Sequence, residues 1–128
     1  MNNNERLGTR NLDFSGWVRS ACKPSSEGFT ASDIDWVFRD TRENKIQIVE
    51  AKCKRANLSL MQEIMYKELR KIFAAGIAAT YGNSMTWYGV HVLQFENTSP
   101  ANGRIWWDGV EITQEQLVAF LEMRDVRA

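Results

Sequence analysis

Two short alternating runs, Ala31 to Asp40 and Lys45 to Lys52, constrain this chain more than any other feature. In the first, Ile34, Trp36 and Phe38 take one side and Asp33, Asp35 and Val37 the other. In the second, Ile46, Ile48, Glu50 and Lys52 share a side. A period of two is strand periodicity, and the bulky residues suit a pleated surface. The polar stretch Thr41-Arg42-Glu43-Asn44 joins the runs, which predicts a β-hairpin with a four-residue loop. If Asp40 faces Lys45 as the closing pair, Val37 faces Ile48, Asp35 faces Glu50 and Asp33 faces Lys52. Directly opposed residues point to one face of a sheet. Asp33, Asp35, Glu50 and Lys52 would then form one cluster, and a slip of one residue would scatter it over both faces.

A length of 128 residues suits a single domain over 1–128 with one core. A first helix fits within residues 4–22, and Lys23 to Gly28 reads as a loop. After the hairpin, Ser59 with Gln62 forms a capping box. Met61, Ile64, Met65, Leu69, Ile72 and Phe73 recur at helical spacing behind it, so a helix should run to about Thr80, with Gly82 near its C-cap. Met85 to Phe95 reads as a strand. Asp108-Gly109 between two apolar runs signals a type I′ hairpin, and Thr113 with Gln116 caps a last helix ending near Arg124. The fold class is therefore α/β: a central mixed sheet flanked by helices, with an added C-terminal hairpin and helix.

Composition narrows the functional classes. No apolar run is long enough to span a membrane, and Met1-Asn2-Asn3-Asn4-Glu5 does not read as a secretory leader, so a cytoplasmic location is expected. Cys22 and Cys53 lie far apart, outside any C-x-x-C pair, and there is one histidine; free thiols are expected rather than a disulfide or a zinc site. His91, inside an apolar run, reads as structural. Net charge is zero, which argues against a protein that coats nucleic acid. Residues 51–75 nevertheless carry +4 and the residues after them −3, so a basic segment follows Lys52 directly.

Charged residues that interrupt apolar strands need a reason, because burying them unpaired is costly. A salt-bridge cluster at a sheet edge is one reason. A catalytic site is the other, and the helix that follows favours it. Mg²⁺ (or Mn²⁺) takes oxygen ligands and commonly only one or two carboxylates. Asp35 and Glu50 can supply these, with the carbonyl of Ala51 as a neutral ligand. Such a cation polarises a scissile phosphate and acidifies an attacking water, and Lys52 can stabilise the growing charge. Asp33 is the alternative acid, either tuning Lys52 or binding the cation itself. Lys54 and Arg55 are placed to touch a phosphate backbone. Trp106 and Trp107 could stack on bases, but they alternate on a strand, which makes one core and the other exposed and favours a packing role.

The segments Asp33-Ile34-Asp35-Trp36-Val37-Phe38 and Ile48-Val49-Glu50-Ala51-Lys52 together resemble the PD-(D/E)xK nuclease superfamily, which includes restriction enzymes, Holliday junction resolvases and many small phage nucleases. Its pattern is an acid on one strand, E-x-K on the next, and then a helix. The resemblance covers roughly residues 25–95 and implies a restriction-endonuclease-like αβββαβ core. Its first core strand would be short here, near Phe29, and Ser32 stands where the family often has proline. The resemblance implies a Mg²⁺-dependent nuclease acting on nucleic acid, DNA being preferred, with Asp35 and Glu50 as metal ligands and Lys52 as the catalytic lysine. In some members the helix after E-x-K carries a glutamine and a tyrosine facing the site. Gln62 and Tyr66 have that spacing, Gln62 toward catalysis and Tyr66 toward nucleic acid, although both would also suit ordinary helix surface. A small domain seldom holds a duplex alone, so a homodimer or larger assembly is expected. The alternative is a module on the same fold that binds nucleic acid or a protein without turnover.

Overall fold

The structure, a computed structural model, describes residues 12–28 and 34–124. It falls into two compact units divided between Ser32 and Asp33. The first holds helix α1 (Leu12–Ala21) and a short 3-10 turn (Ser25–Glu27). The second holds β1 (Trp36–Asp40), β2 (Lys45–Lys52), α2 (Leu60–Tyr81), β3 (Thr86–Phe95), β4 (Ile105–Trp107), β5 (Val110–Ile112) and α3 (Gln114–Leu121). Among the described residues no helix is long and apolar enough to cross a membrane.

The sheet is mixed, in the order β1-β2-β3-β4-β5. Only β2 and β3 are parallel, because α2 carries the chain back between them; the other neighbours are antiparallel. The hairpin closes as its alternation demands, with Asp40 opposite Lys45 and Val37 opposite Ile48. Asp40 fixes the turn by accepting from the amides of Arg42 and Glu43. The expected start of β1 at Ala31 is not met at Ile34 and Asp35, which lie outside the ladder. The reason is local. Ala51 N–H, which would extend the ladder, donates instead to the carboxylate of Asp35. Asp33 and Phe29, with the short first strand placed there, lie outside the described residues.

Each face of the sheet has its own core. Ile48, Val90 and Tyr66 pack with Leu58, Leu69, Phe73 and Trp87 under α2. Val49, Leu93, Ile105 and Leu117 pack on the other face under α3. A bulge in β3 sets which residues go where: Ile46 pairs with Trp87 but Ile48 with Val90, so β3 carries one extra residue. Gly89 lies there at φ +98°, where a side chain is strained. Trp87 and Val90 therefore face α2 together, and Val92 and Gln94 follow on that face, level with Glu50 and Lys52.

Helix α2 begins on the expected capping box at Ser59 and Gln62 and ends at Gly82. Helix α3 stops at Leu121, short of Arg124. Met123 takes a left-handed conformation and donates to Phe120 O, and Arg124 N donates to Ala119 O, which closes the helix without a glycine. Two β2 side chains take up further C-terminal carbonyls: Gln47 donates to Phe120 O and Leu121 O, and Lys45 to Met123 O.

Candidate active site

Glu50 sits on a strand buried by sheet neighbours on both sides, and its side chain is turned toward α2. That position takes it out of water: the residue is 4% exposed. Tyr66, on the inward face of α2, donates its hydroxyl to Glu50 Oε1 at 2.5 Å. Lys52, two residues along the same strand face, holds its Nζ 3.7 Å from Glu50 Oε2. Asp35 Oδ2 accepts from Ala51 N at 3.1 Å, and the hairpin register continued by one residue puts Asp35 level with Glu50. Asp35, Glu50, Lys52 and Tyr66 thus meet on one face of the sheet, beside the hairpin edge.

Burial pushes the Glu50 carboxyl above its usual range, and the negative charge of Asp35 beside it pushes the same way. Tyr66 and Lys52 oppose this by stabilising the ionised form. A cation beside Glu50 and Asp35 would relieve both the burial of Glu50 and the repulsion on it. Among the described residues no group of three or more His, Cys, Asp and Glu gathers. Two carboxylates fit Mg²⁺ or Mn²⁺ where water and substrate oxygens complete the shell. Tyr66 engages Glu50 Oε1 and the Ala51 N–H engages Asp35 Oδ2, while Glu50 Oε2 faces Lys52.

The structure redistributes several expected roles. Tyr66 is 1% exposed and cannot touch nucleic acid; its ring fills the core and its hydroxyl orients Glu50. Gln62 accepts the Ser59 N–H through Oε1, so its amide serves the helix cap. Ala51 enters the site through its N–H. Cys53 lies beyond the end of β2 as an exposed free thiol. Lys54 and Arg55 are exposed, and both adopt left-handed backbone conformations at φ +56° and +53°. Each such residue costs roughly 1 kcal/mol. The Arg55 guanidinium lies over the ring of Trp106 at 4.1 Å.

The histidine is structural: His91 Nδ1 lies 2.7 Å from Asp108 Oδ2, Nε2 lies 2.6 Å from Tyr88 O, and the ring stacks on Trp107. Trp106 is buried and Trp107 half-buried, so neither presents a free face. One polar residue beside the site escaped the sequence reading. Gln94, the register partner of Lys52, is buried on the site face and donates to Ala56 O at 2.9 Å and to Asn57 Oδ1 at 3.2 Å. It thereby ties the loop after Lys52 to β3. Its signal was present, a polar residue inside an apolar strand, but its face depends on the bulge at Gly89.

No protein-family model, curated protein or solved structure matches this chain.

Proposed function

We propose that the chain is a divalent-cation-dependent nuclease that hydrolyses phosphodiester bonds, with DNA as the preferred substrate. The observation that carries this reading is the convergence of Asp35, Glu50 and Lys52 on one face, with Glu50 buried and its second oxygen left toward Lys52. A merely structural ion pair would not need a second carboxylate beside a buried one. Asp35 and Glu50 would hold Mg²⁺ or Mn²⁺, which when bound polarises the phosphate and acidifies water.

The chain's own residues supply the rest. Tyr66 fixes the Glu50 carboxylate by donating to Oε1, so that Oε2 keeps its direction. The Ala51 N–H does the same for Asp35. Lys52 is half-buried beside them, where a positive charge is screened less than in water and can stabilise the negative charge that grows on the phosphate. The mixed α/β sheet with its β2-α2-β3 crossover supports the likeness to PD-(D/E)xK enzymes, in which an acid, E-x-K and a helix follow one another.

The test is a cleavage assay on linear, single-stranded, circular and branched DNA, and on RNA, with Mg²⁺, with Mn²⁺ and with chelator. Cleavage that requires the cation and disappears in Glu50→Ala and Asp35→Asn is the expected result. Protein that binds Mn²⁺ yet cleaves none of these substrates would end the nuclease reading.

A further inference from the structure

We propose that the Arg55–Trp106–Arg104 stack is a second contact site for the phosphate backbone, so that the bound strand runs from the carboxylates across β3 toward β4. The inference rests on the nuclease reading above and adds the path of the substrate.

A row of side chains crosses the sheet on the site face. Lys52 pairs with Gln94, and Gln94 pairs with Trp106, so the three share a face at one level. Trp106 is 4% exposed, and two guanidiniums cover its ring: Arg55 at 4.1 Å and Arg104 at 5.2 Å. Both arginines stay exposed to solvent while they cover the ring, so their charges remain available at the surface. Arg104 spends its charge on Glu111 at 3.1 Å. Arg55 has no carboxylate partner and no side-chain hydrogen bond among the described residues. A guanidinium stacks through its flat face, which leaves its N–H edge free for two phosphate oxygens.

The backbone is held in an unfavourable form to put Arg55 there. Lys54 and Arg55 are consecutive left-handed residues. Lys54 N donates to Asn97 O at 3.0 Å and Arg55 N to Phe95 O at 2.6 Å, and Gln94 secures Ala56. Strained conformations persist where surrounding structure fixes them, and they gather at functional sites. Trp106 lies two strands from Lys52, roughly 10 Å at the usual strand spacing. About three nucleotides of a duplex strand span that distance along the axis.

The experiment measures binding of the full chain to fluorescein-labelled oligonucleotides by anisotropy, with Ca²⁺ replacing Mg²⁺, over a salt series. Single-stranded DNA, duplex DNA and RNA of one sequence are the three probes. Arg55→Gln is expected to bind several-fold more weakly and to lower the slope of log affinity against log salt by about one, as loss of one phosphate contact does. Arg55→Lys should keep the slope, and Mn²⁺ affinity should be unchanged in both variants. If Arg55→Gln fails to fold, Arg55→Met decides: it keeps an unbranched stem over Trp106 and removes the charge, so it should lower the slope by about one while Arg55→Lys keeps it. Wild-type affinity and slope in a folded Arg55→Gln would overturn the proposal while leaving the nuclease reading intact. Salt-dependent binding through Arg55 in a protein that cleaves nothing would do the reverse.

Discussion

Tyr66 on α2 donates to Glu50 on β2 at 2.5 Å, across the core between helix and sheet. The bond ties the position of a buried carboxylate to the packing of the longest helix. Tyr66→Phe keeps the ring against Ile48 and Val90 and removes only the donor. The loss of a buried bond to a charged group should lower stability by about 1–3 kcal/mol, read from urea denaturation. The donation also lowers the Glu50 pKa, so its removal should make Glu50 hold its proton to higher pH. The acidic limb of the cleavage–pH profile should move upward; an unmoved limb in a destabilised variant would assign Tyr66 to packing alone.

The raised Glu50 carboxyl also governs stability against pH. The folded state holds this proton above the unfolded value of 4.5, so between the two values the folded state binds more protons and stability falls as pH rises. Above that window the full cost of an ionised Glu50 is present. Glu50→Gln keeps an acceptor for Tyr66 and removes the ionisation. Without divalent cations it should melt higher than wild type at neutral pH, with the difference fading below about pH 4. Added Mn²⁺ should raise the melting temperature of wild type alone. A Glu50→Gln protein that melts below wild type at neutral pH would contradict this account.

What the sequence could reveal depended on range. The hairpin register was legible because loop length and alternation are local: four turn residues and two runs set Asp40 against Lys45 and Val37 against Ile48. The capping boxes at Ser59 and Thr113 were legible for the same reason. Tyr66 was misassigned because helix spacing shows which residues share a face, not which face the sheet covers. Gln94 was missed because the bulge at Gly89 breaks the alternation from which its direction would be read. The early end of α3 follows from Met123 in a conformation that glycine usually signals.

Lys52 separates catalysis from assembly of the site. Its side chain is about a quarter exposed, so Lys52→Met loses no fully buried ion pair and should fold. Mn²⁺ binding, measured by calorimetry, should persist, because Asp35 and Glu50 remain. Cleavage should fall by about a hundredfold or more, the scale for losing one group that stabilises developing charge. Wild-type turnover in Lys52→Met would remove the lysine from the mechanism.

Gly89 tests whether the bulge is what puts Gln94 on the site face. A Cβ there would meet His91 Nε2 at 3.4 Å, a contact that can be accommodated, so the main penalty is the φ of +98°. Gly89→Ala should therefore lose about 1–3 kcal/mol, seen as a lower urea midpoint with an unchanged slope. The effect should reach the site through β3. If the chain relaxes by straightening the bulge, Val92 and Gln94 turn to the opposite face and the loop at Ala56 and Asn57 loses its anchor. Proteolysis after Lys54 or Arg55 should then quicken in Gly89→Ala relative to a variant of equal stability loss in the opposite core, such as Leu117→Ala. Equal proteolysis rates in the two would show that the bulge serves stability and does not position the loop.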